Sequence, residues 1–177
     1  MPFPDLPELK PRHAAGGVRI PPGVTVPLSA RVRRLLDTPP LRRLAAVRQL
    51  GLVALVYPGA VHSRLEHSLG VYCLAIDFLT SLQADPRFAR TITETDAAAF
   101  LVAALVHDVG HWPYCHPIED MGLPGIPRHE TLVGDILSGS EIGPLLEADW
   151  GISVDRLAEL LLGTAADPAG RIIHSLL

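Results

Sequence analysis

Apolar residues recur at helical spacing along most of this chain, and strand-like and helix-like segments do not alternate as a parallel sheet requires. The clearest stretch begins at Ser63-Arg64-Leu65-Glu66, a capping-box pattern, after which Leu65, Leu69, Tyr72, Ile76 and Leu79 keep the helical period to about Leu82. Thr95-Asp96 leads into a second, more apolar helix, Ala97–His107, which Gly110 and Pro113 interrupt. Upstream, Ser29 caps a helix running to about Leu36, and Thr38-Pro39-Pro40 ends it and opens another, Leu41–Leu50, with Leu44, Val47 and Leu50 on one face. Residues 51–62 read as an apolar loop and 84–94 as a polar link. Glu130–Leu137, Ile142–Ala148, Val154–Leu162 and Arg171–Leu177 are further helical stretches, with Gly163 suited to the end of the third. Val18–Ile20 and Val24–Val26, around Pro21-Pro22-Gly23, suggest a small strand–turn–strand, and residues 1–17, rich in Pro and Gly, a loose arm. The pattern predicts an all-α bundle with a short N-terminal arm and a small β-hairpin.

Composition narrows this little but usefully. At 177 residues the chain has the size of one domain, and 48% hydrophobic residues exclude a disordered chain. A net charge of -4 gives no general attraction to nucleic acid or anionic membrane. The longest apolar run, Ala97–Val106, is too short to span a bilayer. The start shows no signal-peptide pattern, and Cys73 and Cys115 form no CxxC, which together point to a soluble protein of the reducing cytoplasm. Arg31, Arg33, Arg34, Arg42, Arg43 and Arg48 face one acid, Asp37, in the same stretch; a solvated helix face and a phosphate- or partner-binding strip are the two readings.

The eight histidines change the picture, because several fall in three blocks: His62 to His67, His107 to His116, and Arg128-His129-Glu130. His107-Asp108 follows an apolar run, where burial costs heavily unless something satisfies the pair. A divalent cation would, with His67 as the candidate third ligand; a hydrogen-bonded pair at a helix end is the plain alternative. His62 reads as a loop residue, Trp112 and Tyr114 as packing, and Cys115 as a small filler.

Residues Leu41–Gly51, Tyr57-Pro58-Gly59-Ala60-Val61-His62-Ser63-Arg64-Leu65-Glu66-His67-Ser68-Leu69-Gly70-Val71 and Ala103-Ala104-Leu105-Val106-His107-Asp108-Val109-Gly110-His111 through Cys115-His116 resemble the HD-domain phosphohydrolase superfamily, most of all its deoxynucleoside triphosphate triphosphohydrolase branch. The resemblance covers residues 18–137 and extends more faintly to Arg171–Leu177. It implies one divalent metal ion (Mn, Mg, Fe, Zn or Ni) held by His67, His107 and Asp108, with a last aspartate ligand that none of Asp135, Asp149, Asp155 or Asp167 supplies by motif. It implies that Gln49 and Leu50 line a nucleoside pocket, that Arg64 contacts phosphate, and that His111, His116 and His129 lie near the phosphates. His116 or His129 then moves a proton, and Glu130 orients a histidine.

On this reading residues 1–27 are the arm and hairpin, and 28–177 an HD domain that stops before its last ligand. The stretch Arg12–Gly17 departs from the Asp-Pro-Val-His-Gly-like segment usual there. The implied activity is hydrolysis of a nucleotide phosphate ester or anhydride, and the implied partner a nucleotide or other phosphorylated small molecule. Nucleic acid and membrane are not expected as partners, and a homo-oligomer is left open. A nucleotide monophosphatase on the same fold and a non-catalytic HD domain that binds a nucleotide or partner are the rival readings, the latter favoured by the missing aspartate.

Overall fold

Residues 3, 5–10 and 16–177 are described by a computed structural model, and residues 11–15, with Arg12 and His13, lie outside the described residues. Strands β1 (Gly17–Ile20) and β2 (Val24–Pro27) pair antiparallel, Val18 opposite Val26, around the turn at Pro21-Pro22-Gly23, where the Pro21–Pro22 bond is cis. Helices α1 (Ala30–Leu36) and α2 (Pro39–Arg43) follow. Ser29 Oγ accepts from the Val32 backbone N–H at 3.3 Å, the cap expected of it.

The helix expected over Leu41–Leu50 is cut short. After α2 the chain tightens into a 3-10 turn, Leu44–Ala46, and then extends at Val47. The backbone of Arg64 donates to Val47 at 2.8 Å and that of Gln49 to His62 at 3.1 Å, so pairing with the chain before the next helix draws residues 47–49 out of helical geometry. A second 3-10 turn, Gly51–Leu55, occupies the apolar loop.

Helix α3 (Arg64–Leu82) starts at its capping box: Ser63 Oγ accepts from Glu66 N–H at 3.2 Å, and Glu66 Oε2 accepts from Ser63 N–H at 2.6 Å. The polar link contains a short helix, α4 (Pro86–Thr91), because Asp85 caps it and Pro86 fits its first turn. Helix α5 (Glu94–Val106) begins three residues before the expected start at Ala97, on a reciprocal Thr93–Asp96 capping box. Every residue from Ala97 to Val106 is buried, and a helix apolar all round belongs in the interior.

Beyond the interruption at Gly110 and Pro113 the chain forms α6 (Cys115–Asp120), α7 (His129–Ser138) and α8 (Ile142–Leu145), then a π turn at Leu146–Trp150 where a continuous helix to Ala148 was expected. Helix α9 (Val154–Leu162) has the expected bounds and closes on Gly163 at φ +69°. Helix α10 (Pro168–Leu176) starts three residues before Arg171, capped by Asp167. Helices α3, α9 and α10 pack around α5, which makes the fold an all-α bundle with one small hairpin.

The arginine strip is largely paired. Arg31 binds Glu8 and lies 3.8 Å from the Trp150 ring centre, Arg34 binds Asp149, and Arg42 binds Asp37. Among the described residues no helix is long and apolar enough to cross a membrane.

Candidate metal centre and histidine cluster

The interior helix α5 delivers His107 at its C-terminal end, still in helical conformation, and Asp108 in the turn beyond. His107 Nδ1 lies 2.9 Å from the Ala104 carbonyl oxygen, an acceptor only, so Nδ1 carries the proton and Nε2 keeps a free lone pair. Helix α3 supplies His67 one turn after Arg64, on the same face. The His67 and His107 rings meet edge to face with centres 5.2 Å apart. One ligand atom each from His67, His107 and Asp108 lie within 4.8 Å of one another. Two imidazole nitrogens and a carboxylate oxygen at that separation suit a divalent ion.

Electrostatics favour the ligand forms. Burial lowers the His67 pKa and keeps the ring neutral. Burial pushes the Asp108 carboxyl up, but His107, His111 and Arg64 outweigh it and hold the group below the usual carboxylate range. Arg64 Nη1 donates to Asp108 Oδ2 at 2.9 Å, with both side chains nearly excluded from water. The arginine expected to meet phosphate is therefore engaged with the aspartate, and its buried Nε has no partner.

A second group adjoins the first through Asp108, whose Oδ1 is 3.4 Å from His107 Nε2 and 3.3 Å from His111 Nδ1. His111 Nε2 lies 3.1 Å from His116 Nε2, and the His111 and His129 ring centres are 3.7 Å apart. Burial drives the His111 pKa down to about 4. His129 opens α7, and its backbone N–H donates to Glu119 Oε1 at 2.6 Å while its Nδ1 lies 3.0 Å from the same oxygen.

Glu119, absent from the sequence reading, is thus the carboxylate that orients His129, and its Oε2 stands 3.5 Å from His116 Nδ1. Glu130, expected in that role, is 3.5 Å from His129 Nδ1 and is hydrogen-bonded to Arg128. The helical spacing His116-x-x-Glu119 was the available signal, hidden because α6 was not anticipated. Arg43 was also missed: its guanidinium donates to the carbonyls of His111 at 2.7 Å and Val109 at 2.8 Å, tying the turn to α2. Cys115 is buried, which pushes its thiol up to about 11, as befits a packed and protonated side chain. Tyr114, expected to pack, is 47% exposed.

Gln49 and Leu50 occupy the segment paired to the start of α3; Gln49 Oε1 is buried without a partner and Leu50 is exposed. Two aspartates outside the motif are committed elsewhere, Asp149 to Arg34 and Asp167 to Arg156.

Glu119 also gives the cluster an acid limit. Burial raises its pKa, but the His129 backbone N–H and ring outweigh this and bring it down to about 2. A depressed folded-state pKa adds stability that is fully present above the unfolded value of 4.5 and lost as pH falls through about 2. Glu119→Gln is therefore expected to make urea unfolding midpoints fall less steeply with acid across that window. Parallel midpoint curves for the two proteins would refute the assignment.

Fold and side chains together define a helical bundle in which His67, His107 and Asp108 form a group that could hold a cation, beside a histidine cluster. A model of the HD domain matches residues 64–164, and the chain belongs to that family. It is 40% identical over 103 residues to a chicken (Gallus gallus) protein, deoxynucleoside triphosphate triphosphohydrolase SAMHD1, a match covering 55% of this chain and 17% of that protein. It is 44% identical over 85 residues to an uncharacterized protein of Mycoplasma pneumoniae, covering 48% of this chain and 19% of the relative. A hypothetical protein from Aquifex aeolicus, known from a crystal structure, superposes with a TM-score of 0.74 at 32% identity, over 91% of this chain and 41% of that one. The matched region is thus less than a fifth of these two curated relatives.

Proposed function

We propose that this chain is the metal-holding part of a phosphohydrolase acting on a nucleotide, of the deoxynucleoside triphosphate triphosphohydrolase kind. The observation that carries the reading is the position of Asp108, whose one carboxylate faces His107 at 3.4 Å, His111 at 3.3 Å and Arg64 at 2.9 Å. A cation site and a set of proton-carrying imidazoles thereby share a single acidic group. The name of the chicken relative supports the nucleotide, and membership of the HD domain family supports the chemistry.

His67, His107 and Asp108 would hold the ion. Once bound, a divalent ion supplies a Lewis acid for phosphoryl oxygens and lowers the pKa of bound water. Arg64 keeps Asp108 ionised, and its unpartnered Nε is a donor that a phosphate oxygen would satisfy. His116, with its side chain 56% exposed, is the member of the cluster that reaches solvent. Its Nε2 lies 3.1 Å from His111 Nε2, a spacing across which a proton can pass between the two rings, and Glu119 Oε2 stands 3.5 Å behind its Nδ1. Gln49 Oε1, buried and unpaired, would accept from a hydroxyl of the nucleoside, beside Leu50.

The test is a panel of deoxynucleoside triphosphates and monophosphates with Mn²⁺, resolving tripolyphosphate from orthophosphate. Tripolyphosphate release by this chain, lost in His67→Ala, is the expected result. Orthophosphate from monophosphates alone would move the reading to a monophosphatase. Nucleotide binding with no release would make this a binding domain.

A further inference from the structure

Tyr114 is a poor local choice on three counts. Its φ is +60°, and among the described residues it is the only one besides glycines in the left-handed region. There a side chain is crowded at Cβ by the carbonyl oxygen that follows, a cost glycine does not carry. It stands at the N-cap of α6, yet its side chain accepts no bond from the helix, as Ser, Thr, Asp or Asn would. Its ring is 47% exposed, so burial offsets little of the cost. The conformation is nonetheless held from both sides, Cys115 N–H donating to the Trp112 carbonyl at 3.2 Å and Ile118 N–H to the Tyr114 carbonyl at 3.1 Å. Strained residues of this kind gather where a site uses the side chain they present.

The position of the ring says what the use is. Tyr114 lies between His111 and His116 in the chain, and its Cδ1 is 3.5 Å from the point a Cβ on Gly51 would occupy. Gly51 follows Gln49 and Leu50, and the Gln49 backbone is bonded to His62, just before the start of α3. The ring therefore reaches from the histidine turn to the segment beside Arg64 and His67, at the rim between the two groups of candidate site residues. Exposed Leu50 and the buried, unpaired Gln49 Oε1 belong to the segment it touches.

We propose that Tyr114 is the platform on which the heterocyclic base of the substrate stacks. The proposal rests on the nucleotide reading above and adds the residue that tells a nucleotide from a bare polyphosphate. Every base has a π-face, so stacking favours a base-bearing ligand without choosing strongly among bases. The ring and not the hydroxyl carries the role, and phenylalanine would serve. A fixed backbone presents the ring ready-placed, so little freedom is lost when a base settles on it.

Calorimetric titration of the full chain with Mn²⁺ tests this, using the non-hydrolysable α,β-methylene analogues of dATP and dTTP beside inorganic tripolyphosphate. Wild type and Tyr114→Phe are expected to bind both analogues more tightly than tripolyphosphate. Tyr114→Leu and Tyr114→Gly are expected to bind the analogues about tenfold more weakly, toward the low end for one base–aromatic stack, with tripolyphosphate affinity unchanged. Tyr114→Gly is also expected to melt no lower than wild type, because glycine relaxes the left-handed backbone. Affinity lost without stability lost is what a merely structural tyrosine would not give. Equal weakening of all three ligands, or no weakening of any, overturns the platform and leaves the nucleotide reading standing. Tripolyphosphate binding with no preference for the analogues in wild type overturns the platform and leaves a phosphate site. No binding of any ligand by wild type removes the platform and the nucleotide reading together. Unchanged affinities with altered sedimentation in Tyr114→Leu would overturn it in favour of a contact between copies of the chain.

Discussion

Asp108→Asn is expected to empty the proposed metal site and to destabilise the fold by on the order of 3 kcal/mol, the low end for breaking a buried ion pair from one side. The amide keeps the volume of the carboxylate and can accept one bond from Arg64. It cannot neutralise a guanidinium whose side chain is 4% exposed, nor offer a charged oxygen to an ion. Two losses are thus superimposed, and a second substitution separates them. Arg64→Met/Asp108→Asn removes both charges from the interior, so most of the stability returns while the metal does not. Urea unfolding and metal content of the single and double variants read the two effects independently. An Asp108→Asn chain with the wild-type midpoint would mean that the ion pair does not hold α3 to the end of α5.

Gly110→Ala is the other substitution with a large expected effect. A Cβ built there collides with the carbonyl oxygen of His129 and lies 3.2 Å from its carbonyl carbon and 3.3 Å from Val133 Cγ2. The obstacle is backbone at the first turn of α7, which cannot rotate away as a side chain can. Helix α7 must therefore move off the turn that carries His111, and the rings of His111 and His129, now 3.7 Å apart, separate. The expected cost is about 3 kcal/mol, with the pairing of the two histidines lost. Thermal unfolding and the histidine ring resonances check both parts. Gly134→Ala is the control, since nothing lies within 4 Å of a Cβ at that helical position and a small gain in stability is expected. Equal melting temperatures for Gly110→Ala and wild type would show that the turn and α7 are not in contact as described.

The sequence was most legible where local chemistry and burial agree. Ser63 and Glu66 start α3 because their capping bonds are made within four residues, and Ala97–Val106 is interior because no member of the run can face water without cost. It was least legible where distant backbone decides. Nothing in Leu44-Ala45-Ala46-Val47 forbids a helix; the chain leaves helical geometry because Val47 and Gln49 find partners at His62 and Arg64. Helix α6 was hidden behind Gly110 and Pro113, which punctuate the chain before it rather than within it. That one omission also hid Glu119, whose relation to His116 is visible only once the intervening residues are helical. The His67, His107 and Asp108 grouping was readable because an apolar run ending in His-Asp needs an explanation. The embrace of the turn by Arg43 was not, because its acceptors are backbone carbonyls that no residue type announces.

Helix α5 has no face in contact with water over Ala97–Val106, and this fixes more than its depth. A helix with one apolar stripe can roll by some tens of degrees and still keep that stripe covered. One enclosed on all sides is locked in rotational phase, because any roll reshuffles every packed neighbour at once. Adjacent residues on a helix point about 100° apart, so the bearings of His107 and Asp108 are set by the angular seating of the shaft they terminate. Core substitutions far from His107 and Asp108, at Ala98 or Val102 for instance, would then act on the pair as torque, turning both side chains together.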